Sequence, residues 1–255
     1  MVKKLGVQLY TVRDFMNTSE EIAATFKRLK DMGYDEAQTA GCKIDYEEFG
    51  ALAKEAGIAL IGTHENFQRM LNDFDEAVRI QQVLDSPFMG IGGASQYETE
   101  ASALEFVKSV NEIGKKLVPY GMKFTYHHHS FEFVPTDTGR HLMDIYAEGF
   151  DKDTVSFCLD TYWLQNGGAD VRHWIEMLKN RVDILHLKDM KKSRHENDWF
   201  KCYFAEIGYG NLWWDGIFDA AEKTGVKHYI VEQDISENPF KSLEMSSEFI
   251  HKNFM

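Results

Sequence analysis

Met122-Lys123-Phe124-Thr125-Tyr126-His127-His128-His129-Ser130-Phe131-Glu132-Phe133 runs from an apolar strand pattern straight into a polar, histidine-rich turn. Within 122–128 the side chains alternate with a period of two, the spacing that sends neighbours to opposite faces of a strand. Phe124 and Tyr126 suit a face covered by helices. Thr125, His127 and His129 then point to the other, enclosed side, and His128 stays outside as a structural histidine. Three consecutive histidines at a terminus would read as an affinity tag, but these lie mid-chain at a strand end.

The same arrangement of apolar strand and polar end recurs downstream. Residues 154–160 end in Cys158-Leu159-Asp160-Thr161-Tyr162-Trp163, 182–187 in Leu185-His186-Leu187-Lys188-Asp189, and 228–232 in Val231-Glu232-Gln233-Asp234. Upstream strand patterns occupy 5–10, 34–39, 58–63 and 87–91, and an amphipathic helix pattern follows each strand. Eight such units in 255 residues give about 32 residues each, the length of a βα repeat. The chain therefore reads as α/β, a (β/α)8 TIM barrel forming one domain over residues 1–255. Thr18-x-x-Glu21, Asp45-x-x-Glu48 and Asp73-x-x-Glu76 mark helix starts as capping boxes. Ile22, Phe26 and Leu29 share one helix face, as do Val171, Trp174, Ile175 and Leu178. One connection is out of proportion, 188–212, against the usual two to six or so residues. It carries Lys191, Lys192, Arg194, His195, Trp199, Phe200 and Tyr203, closes on Glu206-x-Gly208-x-Gly210, and reads as a partial lid.

Composition excludes some functions. A hydrophobic fraction of 44%, with 18 Phe, 11 Tyr and 5 Trp, supports a packed interior. The formal charge of −13 argues against nucleic acid, whose non-specific binding comes from clustered Lys and Arg. No apolar run reaches the roughly 18 residues that cross a bilayer, so no membrane partner is expected. Met1-Val2-Lys3-Lys4 leads into a strand pattern, which gives a cytoplasmic reading. Cys42, Cys158 and Cys202 are odd in number and lack CxxC spacing, so reduced thiols are expected.

Chemistry in such a barrel gathers where strands end. The alternation of each strand places His127, Asp160, His186 and Glu232 inward at comparable heights on four consecutive strands. This mixed nitrogen and oxygen set suits one divalent ion, Mn²⁺ first, with Zn²⁺, Co²⁺ or Mg²⁺ as alternatives. His129 in place of His127 would shift the register by one pleat. His64, ending the third strand in Gly62-Thr63-His64-Glu65-Asn66, is a substrate-binding candidate. Trp163, Trp199, Phe67 and Tyr10 are candidate walls for a sugar face.

These residues resemble the xylose-isomerase-like TIM barrel family, the sugar phosphate isomerases/epimerases that include inosose dehydratase and ketose 3-epimerases. The resemblance covers essentially the whole chain. It runs from Gly6-Val7-Gln8-Leu9-Tyr10-Thr11-Val12-Arg13-Asp14 through Gly33-Tyr34-Asp35 to Leu159-Asp160-Thr161, His186-Leu187-Lys188-Asp189 and Glu206-x-Gly208-x-Gly210. Tyr126-His127-His128-His129-x-x-Glu132-Phe133 is similar to the subgroup pattern Tyr-His-Asn-His-x-x-Glu-Phe and adds Glu132 as a substrate-binding candidate. The resemblance implies a single divalent metal held from strands five to eight, here by His127, Asp160, His186 and Glu232. Three positions depart from it. Ketose 3-epimerases have Glu where His127 stands, the second strand usually has Glu where Gln38 stands, and Trp163 replaces a residue that is often His. The endonuclease branch of the superfamily needs more metal ligands and a basic groove, which the acidic charge does not supply.

The function expected is that of a metal-dependent isomerase or epimerase of a small keto-sugar or cyclitol acting through an enediolate. Glu232 is the first candidate base, with His129 and Lys188 next. The alternative is a lyase, a dehydratase or an enzyme eliminating from a 3-keto-glycoside. A non-catalytic carbohydrate-binding barrel is a second alternative, disfavoured by the complete ligand set. The expected partner is a small carbohydrate, and homo-oligomerisation stays open.

Overall fold

The structure, a computed structural model, describes residues 2–94, 97, 99–192 and 200–255. Its strands are β1 (Leu5–Gln8), β2 (Glu36–Thr39), β3 (Ala59–His64), β4 (Phe88–Ile91), β5 (Lys123–His127), β6 (Val155–Asp160), β7 (Val182–Leu187), β8 (Asp189–Lys192), β9 (Cys202–Ala205) and β10 (His228–Val231). Among the described residues, eight of these, all but β8 and β9, close into a parallel barrel in the order β1-β10-β7-β6-β5-β4-β3-β2. The helices are α1 (Ser19–Asp31), α2 (Tyr46–Glu55), α3 (Phe67–Asn72), α4 (Phe74–Val83), α5 (Glu100–Leu117), α6 (Leu142–Gly149), α7 (Thr161–Asn166), α8 (Val171–Met177), α9 (Trp214–Thr224) and α10 (Pro239–Phe254).

Two layers of apolar contact follow from strand alternation. Phe124, Tyr126, Phe157, Leu159, Leu185 and Leu187 face the helices and pack with Ile22, Phe26, Leu29, Val171, Trp174 and Ile175 in the main core. Burying one such Phe or Leu stabilises the fold by about 1.5–3 kcal/mol. The opposite parity fills the barrel with a second cluster of Ile61, Phe88, Cys158, Ile184 and Ile230. Gly6 makes room there, because a Cβ on it would stand 2.3 Å from Ile230 Cδ1.

Differences from the sequence reading have local causes. The first strand ends at Gln8 instead of residue 10, because the Gln8 side chain accepts from Tyr10 N and starts a 3-10 turn, Leu9–Phe15. Thr18 and Asp45 cap their helices as expected, whereas Asp73 makes no side-chain cap bond. It is shared by two helices: its backbone N–H closes α3 on Arg69 O as α4 begins. The long connection is ordered at its base as an antiparallel hairpin of β8 and β9. Arg194, His195 and Trp199, named with the lid and the sugar walls, lie outside the described residues.

Candidate active site

The ends of β5, β6, β7 and β10 bring together the four donors read from the sequence. Asp160 and His186 are partners in register, as are His186 and Ile230, so Asp160 and His186 stand level and Glu232 follows two residues after the matching position on β10. His127, Asp160, His186 and Glu232 are buried, and each offers a ligand atom within 4.8 Å of the others. His186 Nδ1 lies 2.9 Å from Glu232 Oε2 and 3.8 Å from Asp160 Oδ2. His127 Nδ1 has no hydrogen-bond partner among the described residues, whereas the other three atoms meet charged neighbours inside the site, His186 Nδ1 and Glu232 Oε2 each other and both carboxylate oxygens the Lys188 ammonium. Buried polar atoms without partners are uncommon and costly, so the bare His127 Nδ1 facing this charged cluster calls for a ligand. Two imidazoles and two carboxylates suit a divalent ion such as Mn²⁺, Zn²⁺ or Co²⁺.

Neighbouring groups hold the donors in place. Asp160 Oδ1 caps α7 by accepting from Trp163 N at 2.9 Å, which leaves Oδ2 for the site. His128, on the outer face as expected, donates from Nδ1 to His129 O and accepts at Nε2 from Asp160 N, tying β5 to β6. A second group of donors, His64, His127, Cys158 and His186, also lies within 4.8 Å. Burial pushes the Cys158 thiol up and favours its protonated form, so the carboxylate set is the better metal site.

Lys188, fully buried, places Nζ 3.0 Å from Asp160 Oδ2, 2.9 Å from Glu232 Oε2 and 3.0 Å from Asp234 Oδ2. Burial alone would lower its pKa, but the three carboxylates raise it above the ordinary range. Burial would likewise raise Glu232, yet Lys188 and His186 hold it well below the usual carboxylate range. Burial brings His129 down to about 4 and His64 to about 3, and pushes His127 well below its ordinary value. All three imidazoles are therefore neutral at pH 7.

His129 meets His127 edge to face at 4.9 Å and Trp163 at 5.1 Å, making one wall of the site. Phe204 of β9 extends it, 5.9 Å from Trp163 and 4.4 Å from Tyr162, a contribution the sequence reading missed. His64 stacks on His127 at 5.2 Å. Tyr10 is 41% exposed, lies under the Arg13 guanidinium at 4.1 Å, and lines a separate cavity of about 260 Å³ with Arg13, Cys42 and Lys43. Phe67 packs on Phe106 in the helix layer.

Glu132 belongs to the wall behind the site. It is fully buried, with Oε1 accepting from Tyr126 OH at 2.6 Å and Oε2 from His129 N at 2.9 Å, so both oxygens are committed within the protein. Its carboxyl is pushed up to about 7, first by burial. Removing the hydroxyl in Tyr126→Phe is expected to cost about 1–3 kcal/mol in denaturant unfolding, because it strands a buried acceptor. An unchanged midpoint would show that the Glu132 brace carries no stability.

The family model for the xylose isomerase-like TIM barrel matches residues 26–252. A sugar phosphate isomerase/epimerase of Parabacteroides distasonis superposes with a TM-score of 0.83 at 22% identity, covering 100% of this chain and 95% of that one. An IolI protein with a bound zinc atom superposes with a TM-score of 0.71 at 13% identity, covering 97% of each chain. These two likenesses are of fold. In sequence the chain is similar to inosose dehydratase of Lactiplantibacillus plantarum, 24% identical over 62% of this chain and 57% of that protein. It is also similar to that of Geobacillus thermodenitrificans, 28% identical over 57% of this chain and 53% of that protein. The matched part thus spans about half the length of these curated relatives. Among the described residues no helix is long and apolar enough to cross a membrane.

Proposed function

This chain belongs to the xylose isomerase-like TIM barrel family, and from that membership we propose that it is a divalent-metal-dependent enzyme that enolises a small keto-sugar or cyclitol. The observation that supports the reading is the convergence of four buried metal-ligating side chains, two imidazoles and two carboxylates within 4.8 Å of one another, at the C-terminal mouth of the barrel. His127, Asp160, His186 and Glu232 would hold a divalent ion, Mn²⁺ before Zn²⁺, Co²⁺ or Mg²⁺, which would supply Lewis-acid polarisation of the keto group. Glu232 takes the proton α to the carbonyl. Lys188, its ammonium 2.9 Å from that carboxylate, holds or protonates an oxygen on the same side. His129 and Trp163 position the ring. Proton return to carbon makes the enzyme an isomerase or epimerase.

A second reading, dehydration, has its own support. Transfer of a proton from one face of a carbon to the other is best done by two opposed carboxylates, and β5 ends in His127 where the second would stand. Loss of a β-hydroxyl needs only the one-sided pair: Glu232 receives the carbon proton, the C–O bond breaks, and Lys188 supplies the proton with which the oxygen leaves as water. The inosose dehydratase relatives agree with this outcome.

Chelation provides the test. After treatment with EDTA, proton exchange at the α-carbon of an inosose or 3-keto-glycoside in D₂O is expected to fall at least about 100-fold and to return on adding Mn²⁺. Full exchange by the metal-stripped protein, followed by NMR, would overturn the proposal.

A further inference from the structure

Two buried glutamines connect the first strands of the barrel to the candidate metal site. Gln8 and Gln38 are partners in register on β1 and β2, and both are fully buried. Tyr10 N donates to Gln8 Oε1 at 3.2 Å. A backbone N–H can only donate, so this bond fixes which end of the Gln8 amide is oxygen, and its NH₂ group must face the other way. There it stands 3.2 Å from Gln38 Oε1 and 3.5 Å from His64 Nδ1.

The proton positions follow in sequence. Gln38 meets the Gln8 donor with its oxygen, and the same oxygen faces His186 Nε2, which must therefore carry a hydrogen. A metal bound at Nδ1, the atom 2.9 Å from Glu232 Oε2 and 3.8 Å from Asp160 Oδ2, would then meet the ring's one remaining lone pair, while without metal the Glu232 carboxylate holds a second proton there. His64 faces the same NH₂ group with Nδ1, so its lone pair is there and its proton on Nε2. That Nε2 is buried without a partner, on a ring stacked against His127 and tilted toward His186 at 5.8 Å. An imidazolium would have no lone pair for Gln8, so the same contacts require a neutral ring.

We propose that Gln8 and Gln38 are positioning residues that present His186 to the metal as a lone-pair donor and leave His64 as a neutral N–H donor for an oxygen of the bound keto-sugar. The inference rests on the metal-dependent reading given above and deepens it. Gln38 matters as an amide: a carboxylate there would draw the proton from His186 Nε2, while the amide accepts the hydrogen bond, keeps that proton in place and directs Nδ1 to the metal. His128 is the natural reference, because its bonds to His129 O and Asp160 N demand the opposite tautomer, with the proton on Nδ1.

Nitrogen NMR of protein labelled with ¹⁵N-histidine, without metal and with Zn²⁺, tests the relay. In both forms His64 is expected to show a protonated Nε2 and a bare Nδ1, with His128 reversed. Gln8→Glu keeps an acceptor for Tyr10 N and removes the donor, so it should turn His64 to the Nδ1–H form. Gln8→Met, which should give a mixture of tautomers, serves if the carboxylate variant does not fold. Gln38→Leu is expected to weaken Zn²⁺ binding by about 10- to 100-fold by calorimetry, with the circular dichroism unchanged. Glycolohydroxamate, an oxygen-chelating mimic of an enediolate, should bind the zinc-loaded protein about ten-fold more weakly after His64→Leu, the loss of one hydrogen bond. An Nδ1–H tautomer of His64 in the unmodified protein, or no response to either Gln8 variant, would overturn the relay. Equal glycolohydroxamate affinity in His64→Leu would overturn the donor role. Absence of Zn²⁺ binding with the tautomers as expected would instead overturn the metal-dependent reading.

Discussion

If Glu232 is the proposed base, Glu232→Gln is expected to cut solvent-deuterium exchange at the substrate's α-carbon by about 10²–10⁴-fold with divalent-metal binding retained. An amide oxygen can still face a cation, but an amide cannot take up a proton at neutral pH. The charge lost is local. Lys188 retains Asp160 and Asp234, both at 3.0 Å, so its ammonium stays paired. Exchange followed by ¹H NMR in D₂O, with metal content measured on the same sample, separates the two effects. Exchange at the unmodified rate would exclude Glu232 as the base and make His129 the next residue to replace. The companion variant His127→Glu supplies the missing second carboxylate and should shift products toward epimerisation. Rapid 3-epimerisation of free fructose or tagatose by the unmodified protein would contradict this one-sided chemistry.

Asp189→Ala is expected to lower stability by about 4–5 kcal/mol, a drop in Tm of roughly 10–20 °C for a chain of this size. The fully buried carboxylate accepts from Met190 N and Leu212 N through Oδ1, and from Gly208 N, Gly210 N and Trp214 Nε1 through Oδ2. Truncation strands five donors at once. This is the physical reason for the Glu206-x-Gly208-x-Gly210 motif. A Cβ on Gly210 would stand 2.2 Å from Asp189 Oδ1, and Gly208 adopts φ +84°. Gly210→Ala should therefore lose much the same stability without removing any polar group. Thermal unfolding of the two variants decides the matter, and a loss below about 1 kcal/mol in both would show that the turn tolerates unpaired donors.

The barrel and the convergence of its donors were legible in the sequence because both depend on one short-range rule. Alternation along each strand assigns side chains to the inside or outside, and residues at four strand ends inherit that parity, as His127, Asp160, His186 and Glu232 do. What escaped depends on partners far along the chain. The Gln8 and Gln38 amides act across 30 and 148 residues, and an amide has no charge or titration to announce itself. Glu132 stood out as an acidic residue next to the histidines, but only the packed structure shows Tyr126 and His129 N claiming its oxygens. Phe204 lies in a segment whose hairpin pairing, and hence its approach to Trp163, is set by tertiary contact.

The hairpin of β8 and β9 also bears on how such a protein can diversify. Its base is anchored by Asp189, while on the active-site side Phe204 reaches Tyr162, Trp163 and the Lys188 ammonium. The anchor, Asp189, and the aromatic contact, Phe204, thus sit on different strands of the hairpin, one serving stability and the other the pocket. A change at Phe204 would alter the wall beside Trp163 while leaving the five hydrogen bonds of Asp189 in place. The hairpin thus divides its labour, with folding held at one strand and the shape of the pocket wall at the other, so that the two can change separately.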